Sequence, residues 1–278
     1  PATMLLEASD TIVSQEVIEQ TREEMGLNDP FLVQYGNWLL GVVQGDMGIS
    51  YSAKKPVMEK LMEGFAGTVL LALTTIILII IISIPLGIFS ATHRNKIPDF
   101  LVRIFSFIGV SMPSFWVGLI LLYIFGLKLG LVPIATAKVS FSGLILPALT
   151  LAIYQSAKYT RQVRTVILDE LHQDYVIGAR ARGLSEKAIL WKHILPNAIL
   201  PLITLLGMSI GWLLGGVAVI ETVFSWPGIG KMAVQAITMR DYPLIEGIVL
   251  WIATVYTVIN FLVDLSYSYL DPRIKKEN

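Results

Sequence analysis

The chain has no cysteine and only three histidines, and charged residues make up just 15% of its 278 positions. The lack of cysteine excludes a disulfide framework, a thiolate metal site and a thiol nucleophile. No histidine falls inside a long apolar run, and the zinc pattern H-E-x-x-H is missing, so nucleophile–base or metal chemistry within a membrane has little to work with. Phosphate-loop chemistry is missing too. The nearest string, "WPGIGKM", places Ser225 where the first Gly is required and Met232 where Ser or Thr is required. The 21 basic and 21 acidic residues cancel, so no basic surface for nucleic acid is indicated. There is no repeat of 20–50 residue period.

Apolar residues are present in excess. They make up 54% of the chain, and the mean hydropathy is +0.68. Soluble domains carry about 25% charged residues, so this balance indicates an all-α integral membrane protein. Five segments reach the roughly 20 residues that a helix needs to cross a bilayer: about 66–91, 104–127, 145–167, 196–220 and 244–268. The first holds "TVLLALTTIILIIIISIPLGIFSA". The third carries Tyr154, Gln155 and Lys158 and is expected to face protein or a watery cavity instead of lipid. Lys and Arg collect near residues 92–104, between Lys158 and Lys192, and in the tail 271–278. These places hold thirteen of the 21 basic residues. They lie on one side if all five segments cross, and that side is the cytoplasm.

Residues 1–65 then form an extracytoplasmic segment and 66–270 the membrane domain. In the outer segment, Ser14 is a candidate cap for a helix that stops at Gly26. Asp29 and Pro30 are expected to open a second helix with an apolar face of Phe31, Tyr35, Trp38, Leu39 and Val42. "KPVMEKLMEGF" reads as a short helix before the first span. Pro113 in "GVSMPSFW" should kink the second span near Ser111. Gly207, Gly211 and Gly215 share a face that lets another helix approach closely.

Between two apolar runs lies "DYVIGARARGLSEKAILWKHILPNAILP". Asp174 is a candidate N-cap for a helix from Tyr175 to Arg182, with Gly183 as a left-handed stop. Ser185 is placed to cap a second helix that ends at Pro196. This helix–Gly–helix knob resembles the Glu-Ala-Ala loop of permease subunits in ATP-binding-cassette importers. Ala179, Gly183, Leu195 and Pro196 match that pattern, whereas Ile177, Gly178 and His193 depart from it. "DYVIGARARGL" fits the oligopeptide/dipeptide/nickel branch better. "LNDPFLVQY", "GDMGIS", "PLGIFSATHRNKIPDF", "GVSMPSFW", "ETVFSWPGIGKMAVQAITMRDYPLI" and "VDLSYSYLDPRI" resemble the same branch in its order, with the nickel permeases the nearest in wording.

The resemblance implies the type I importer permease fold in a bacterial inner membrane. Six spans are then expected in all, the first of them missing from this chain. It also implies a sister permease, two cytoplasmic ATPases carrying ATP and Mg, and an extracytoplasmic substrate-binding protein. Within the loop at 169–196, the resemblance assigns ATPase coupling to Asp174, Tyr175, Ala179, Arg180, Arg182, Gly183, Leu184, Ser185, Leu195 and Pro196. Ser111, Met112, Pro113, Tyr154, Gln155, Met208, Trp212 and Glu221 are candidates for the translocation path. Nickel or a nickel chelate is the first expected cargo and a dipeptide or oligopeptide the alternative. A passive channel or scaffold is the reading from another class, and it leaves the charged knob without a purpose.

Overall fold

The computed structural model describes residues 15–24, 26–136 and 138–270. Helices dominate, and the one isolated bridge among the described residues pairs Ile49 with Pro56. In chain order the elements are α1 (Gln15–Glu24), α2 (Phe31–Val43), α3 (Val57–Thr92), α4 (Ile97–Ser111) and α5 (Ser114–Leu121), which continues as a π-helical stretch Leu122–Lys128. Then follow α6 (Phe141–Leu171), α7 (Asp174–Ala181), α8 (Glu186–Ile189), a π-helical stretch Leu190–Ile194, α9 (Leu195–Gly216), α10 (Ala218–Val223), α11 (Ile229–Thr238) and α12 (Tyr242–Leu270).

By length and composition, Val57–Thr92, Glu186–Gly211 and Tyr242–Leu265 suffice to cross a membrane, and α4 with α5 would make a fourth span if the bent pair counts as one. The helix α6 has the length, but polar residues from Tyr154 onward dilute its apolar content. It tolerates them because fifteen of its residues, Gln155, Ser156 and Thr160 among them, are buried within the chain. A helix surrounded by protein needs no lipid-facing apolar surface.

Several element boundaries differ from expectation, each for a local reason. Gly26 ends α1 at φ 64 as expected, while Ser14 lies outside the described residues. Pro30, not Asp29, is the N-cap of α2, and no residue of α2 is buried. The short helix expected before the first span does not stop but runs into it, giving a 36-residue α3. The kink expected near Ser111 is a full break, with α4 and α5 meeting at 99°. Met112 leaves the helix at φ −96, ψ 134, the extended geometry imposed on a residue before proline. At Pro196 the opposite happens. The chain stays helical from Glu186 to Gly216, because the π-helical turn before Leu195 already interrupts the regular ladder in which the proline lacks a donor.

Three buried clusters hold the bundle together. Toward the outside, Leu71, Leu144, Leu151, Leu213, Phe224 and Trp226 pack together. Beside them, Val57 and Leu61 meet Ile229, Leu244 and Ile248. Toward the cytoplasm, Val163, Ile167, Val176, Ala179, Ile189, Ile194 and Leu202 form the third. Close approach depends on glycine. A Cβ on Gly87 would lie 2.6 Å from Val163 Cβ, one on Gly207 2.4 Å from Val263, and one on Gly211 2.6 Å from Tyr256. The small-residue face therefore receives α12 at Gly207 and Gly211.

Three carboxylates pin the ends of the helices. Asp99, at the start of α4, accepts from Ser90 Oγ at 2.6 Å, from Asn95 N at 2.9 Å, and from Arg164 Nε and Nη2 at 2.7 and 2.9 Å. On the outer side Glu221 is fully buried. It accepts from Thr68 Oγ1 at 2.7 Å and Lys231 N at 2.9 Å, while Trp226 Nε1 donates to Gly67 O at 2.9 Å. Asp241 accepts from Ser50 Oγ at 2.6 Å, Ser52 Oγ at 2.7 Å, Ser52 N at 2.9 Å and Tyr51 N at 3.0 Å. Burial pushes the Asp241 carboxyl up, but the bonds from Ser50, Ser52 and Tyr51 outweigh it and hold the group below its ordinary value.

Two outcomes follow for the detergent-solubilised protein. Arg164→Met strands the Asp99 carboxylate and should cost about 3–5 kcal/mol, and adding Asp99→Leu should recover most of that, as read from thermal midpoints. The depressed value of Asp241 makes its latch fully stabilising above the ordinary carboxylate value of about 4 and progressively lost as pH falls through the folded-state value. The midpoint gap between wild type and Asp241→Asn should therefore be widest at neutral pH and narrow from about pH 4 downward.

Candidate functional site

The cytoplasmic knob is built from short helices that cannot persist alone. Helix α7 has eight residues and α8 four, well short of the length at which isolated helices hold in water. Burial and capping hold them instead. Val176, Ala179 and Ile189 are all but fully buried against α3, α6 and α9 through the cytoplasmic cluster. Gln173 occupies the N-cap position expected for Asp174, which instead lies in the first turn of α7, where a carboxylate favours the helix dipole. Gly183 has φ 78 and nothing within 4 Å of a Cβ built on it, so the turn needs glycine for its backbone, not for space. Gly183 N donates to Arg180 O at 2.9 Å and Leu184 N to Ala179 O at 3.2 Å, closing the end of α7. Ser185 Oγ accepts from Ala188 N at 3.3 Å, and Arg180 bridges the turn to Glu186 at 2.7 and 3.1 Å.

Thus the loop residues form one rigid unit with an inner and an outer face. Ala179 faces inward. Asp174, Arg180, Arg182, Gly183, Leu184 and Ser185 are exposed, Tyr175 and Leu195 are half-buried, and Pro196 is exposed in the first turn of α9. Tyr175 Oη donates to Glu170, tying α7 back to the end of α6. His172 joins the same corner. Its Nδ1 lies 2.6 Å from Leu168 O and its Nε2 3.3 Å from Arg94 Nη1. Two apolar residues not assigned a role from the sequence, Ile177 and Trp191, stand out at 58% and 60% exposure on this side of the chain. Each adjoins another apolar residue, Val176 and Leu190, so the sequence alone does not separate them from core.

The path candidates divide. Ser111 and Pro113 are exposed at the break between α4 and α5, and Ser111 Oγ donates to Phe107 O at 2.8 Å. Gly109 rests on α6, 2.5 Å from Ala157 and 3.9 Å from Ile153 O by its built Cβ. The break at Met112 therefore lies at nearly the depth of Tyr154, which is half-exposed. Gln155, one residue on, turns into the bundle and is 4% exposed. The side chains of Met208 and Trp212 lie outside the described residues. Glu221, expected at an entrance, is sealed instead between α3 and the 226–231 turn. The string "WPGIG" places Gly228 against its carboxylate and Trp226 in the core, not at a membrane interface. The sequence missed the Asp99–Arg164 clasp because the partners lie 65 residues apart.

Comparison with known proteins gives concordant results. Residues 83–276 match the family described as "Binding-protein-dependent transport system inner membrane component". The oligopeptide transport system permease protein AppB of Bacillus subtilis is 41% identical, over 99% of this chain and 89% of that protein. The dipeptide transport system permease protein DppB of Alkalihalophilus pseudofirmus is 37% identical, over 94% of this chain and 87% of its own length. The glutathione transport system permease protein GsiC of Escherichia coli K12 is 37% identical, over 94% and 85%. Among solved structures, a chain of the MetNI methionine ABC transporter in an inward-facing conformation superposes with a TM-score of 0.64 at 18% identity, covering 77% of this chain and 97% of that one. That likeness establishes a shared type I importer permease fold. With the family match and relatives at this identity along nearly their whole length, the chain belongs to the binding-protein-dependent transport system inner membrane components, the multi-pass, non-enzymatic permease subunits of ABC importers.

Proposed function

We propose that this permease forms half of a channel for short peptides and is driven through its cytoplasmic knob. The observation that carries the cargo is the set of relatives. At 37–41% identity, three of them are named for oligopeptide, dipeptide and glutathione transport. Nickel, the first cargo expected from the sequence, is named in none of these three.

The mechanism follows from rigidity. ATP and Mg belong to two partner ATPases, and a sister permease supplies the other half of the path. An extracytoplasmic binding protein delivers the cargo. The exposed rim of Arg180, Arg182, Gly183, Leu184 and Ser185 is the surface on which an ATPase engages. Asp174, Tyr175 and Ala179 set the first knob helix in place, and Leu195 and Pro196 pass its movement into α9. Because Val176, Ala179 and Ile189 share one buried cluster with Val163 and Leu202, a displacement of the knob moves α6 and α9 as one body. Such coupling requires both ends to favour the same one of two states. Ser111, Met112, Pro113 and Tyr154 line the path at the α4–α5 break, and Met208 and Trp212 are assigned to it from the sequence alone.

Two measurements test this reading. In proteoliposomes holding the complete importer, labelled dipeptides should accumulate on ATP addition and nickel should not; nickel alone accumulating would overturn the peptide assignment. In Gly183→Val the left-handed turn costs about 1–2 kcal/mol, a factor of roughly 5–30 in the population of the correct knob geometry. Uptake should fall accordingly while the thermal midpoint drops by only a few degrees. Unchanged uptake would remove the knob from the mechanism.

A further inference from the structure

One face of α6 carries Tyr154, Lys158, Arg161 and Thr165, spaced four, three and four residues apart and so aligned on one side of the helix. Lys158, Arg161 and Thr165 are exposed and Tyr154 half-exposed. Their depth follows from the neighbouring α3, whose apolar run ends at Thr92 just before His93, Arg94 and Lys96. Val163 rests on Gly87, five residues before that end, and Lys158 is five residues farther out along α6, about 15 Å from it. Lys158 therefore lies near the middle of a core about 30 Å thick, with Arg161 one turn nearer the cytoplasm.

Charged groups at that depth do not face lipid; they face a bundle interior or water. The neighbouring Arg164 obeys the usual remedy and pairs with Asp99 at 2.7 Å. Lys158 and Arg161 do not. Among the described residues neither side chain has a carboxylate or any other hydrogen-bond partner. The stripe also lies at the depth of the α4–α5 break, where Ser111 is exposed. Two unpaired cations side by side on an open face at mid-membrane are arranged to receive an anion. A guanidinium takes a carboxylate through two parallel bonds and an ammonium adds a point charge.

We propose that Lys158 and Arg161 form a station in the translocation path that binds a carboxylate of the cargo, namely the C-terminal carboxylate of a peptide. This rests on the peptide reading above and adds a selectivity rule to it: the path favours anionic ends and repels a bare divalent cation.

The test uses the complete importer, with binding protein, sister permease and ATPases, reconstituted in proteoliposomes. Uptake of a labelled dipeptide is compared with uptake of the same dipeptide as its C-terminal amide, each at a concentration that saturates the binding protein. Wild type should favour the free acid. The double variant Lys158→Gln, Arg161→Gln should lose roughly tenfold or more of free-acid uptake, the scale of one charge-assisted contact, and leave the amide nearly unaffected. Lys158→Arg should keep the preference. Equal losses for acid and amide would overturn the proposal and assign the two residues to pairing with an acidic group of the sister subunit. Unchanged uptake of both would overturn it as well. Failure of wild type to move either cargo would instead overturn the peptide reading itself.

Discussion

A carboxylate withdrawn from water has to be met by donors on every side, since an uncompensated buried charge costs more than most single contacts return. This chain uses that requirement as its fastener. Asp99 gathers a serine from α3, a backbone N–H from the turn and a guanidinium from α6, so three helices meet at one point near the cytoplasm. Glu221 does the same between α3 and the outer turn at Trp226. Asp241 binds the 50–52 turn to the start of the last long helix. Apolar packing in a membrane is only weakly directional, because lipid is as apolar as the side chains it would replace. The polar pins decide which faces meet.

Because the pins and the cytoplasmic cluster fix α3, α6 and α9 relative to one another, the knob at 174–189 is an extension of the bundle and not a loose connector. Its inner face is core and its outer face is free. That division suits a part that carries motion from a soluble engine into a membrane. The outer side contrasts with it, since its lobe is locked onto α3 through Gly67 and Thr68. A Cβ on Gly67 would come within 1.9 Å of Pro227 O. Rigid attachment at both ends leaves the break at Met112–Pro113 as the irregular backbone at mid-depth, and such backbone is tolerated in membranes where it borders protein or a water-filled cavity.

Cargo is the point at which the names of the relatives part from the wording of the sequence. Its strings resembled nickel permeases, yet wording shared along a scaffold reports the scaffold and not what passes through it. The relatives bear peptide and glutathione names, and the proposed role of the exposed cations on α6 is consistent with such a cargo.

The sequence by itself determined the elements whose cause is local. Apolar runs of spanning length marked α3, α9 and α12, Pro113 marked where the helix is interrupted, Gly183 marked the left-handed turn, and Ser185 marked the cap of α8. In each case one residue's backbone preference, or one window's composition, suffices. Tertiary structure decided what depends on partners distant in sequence. Glu221 reads as an acid at a channel mouth until Thr68 and the 226–231 turn close over it. Gln155 and Tyr154 are adjacent in sequence, yet one is core and the other faces outward. Arg164 and Arg161 are three residues apart and look alike, but among the described residues only Arg164 meets an aspartate, 65 residues away. Charge in a membrane is judged by what surrounds it, and no window of sequence contains its surroundings.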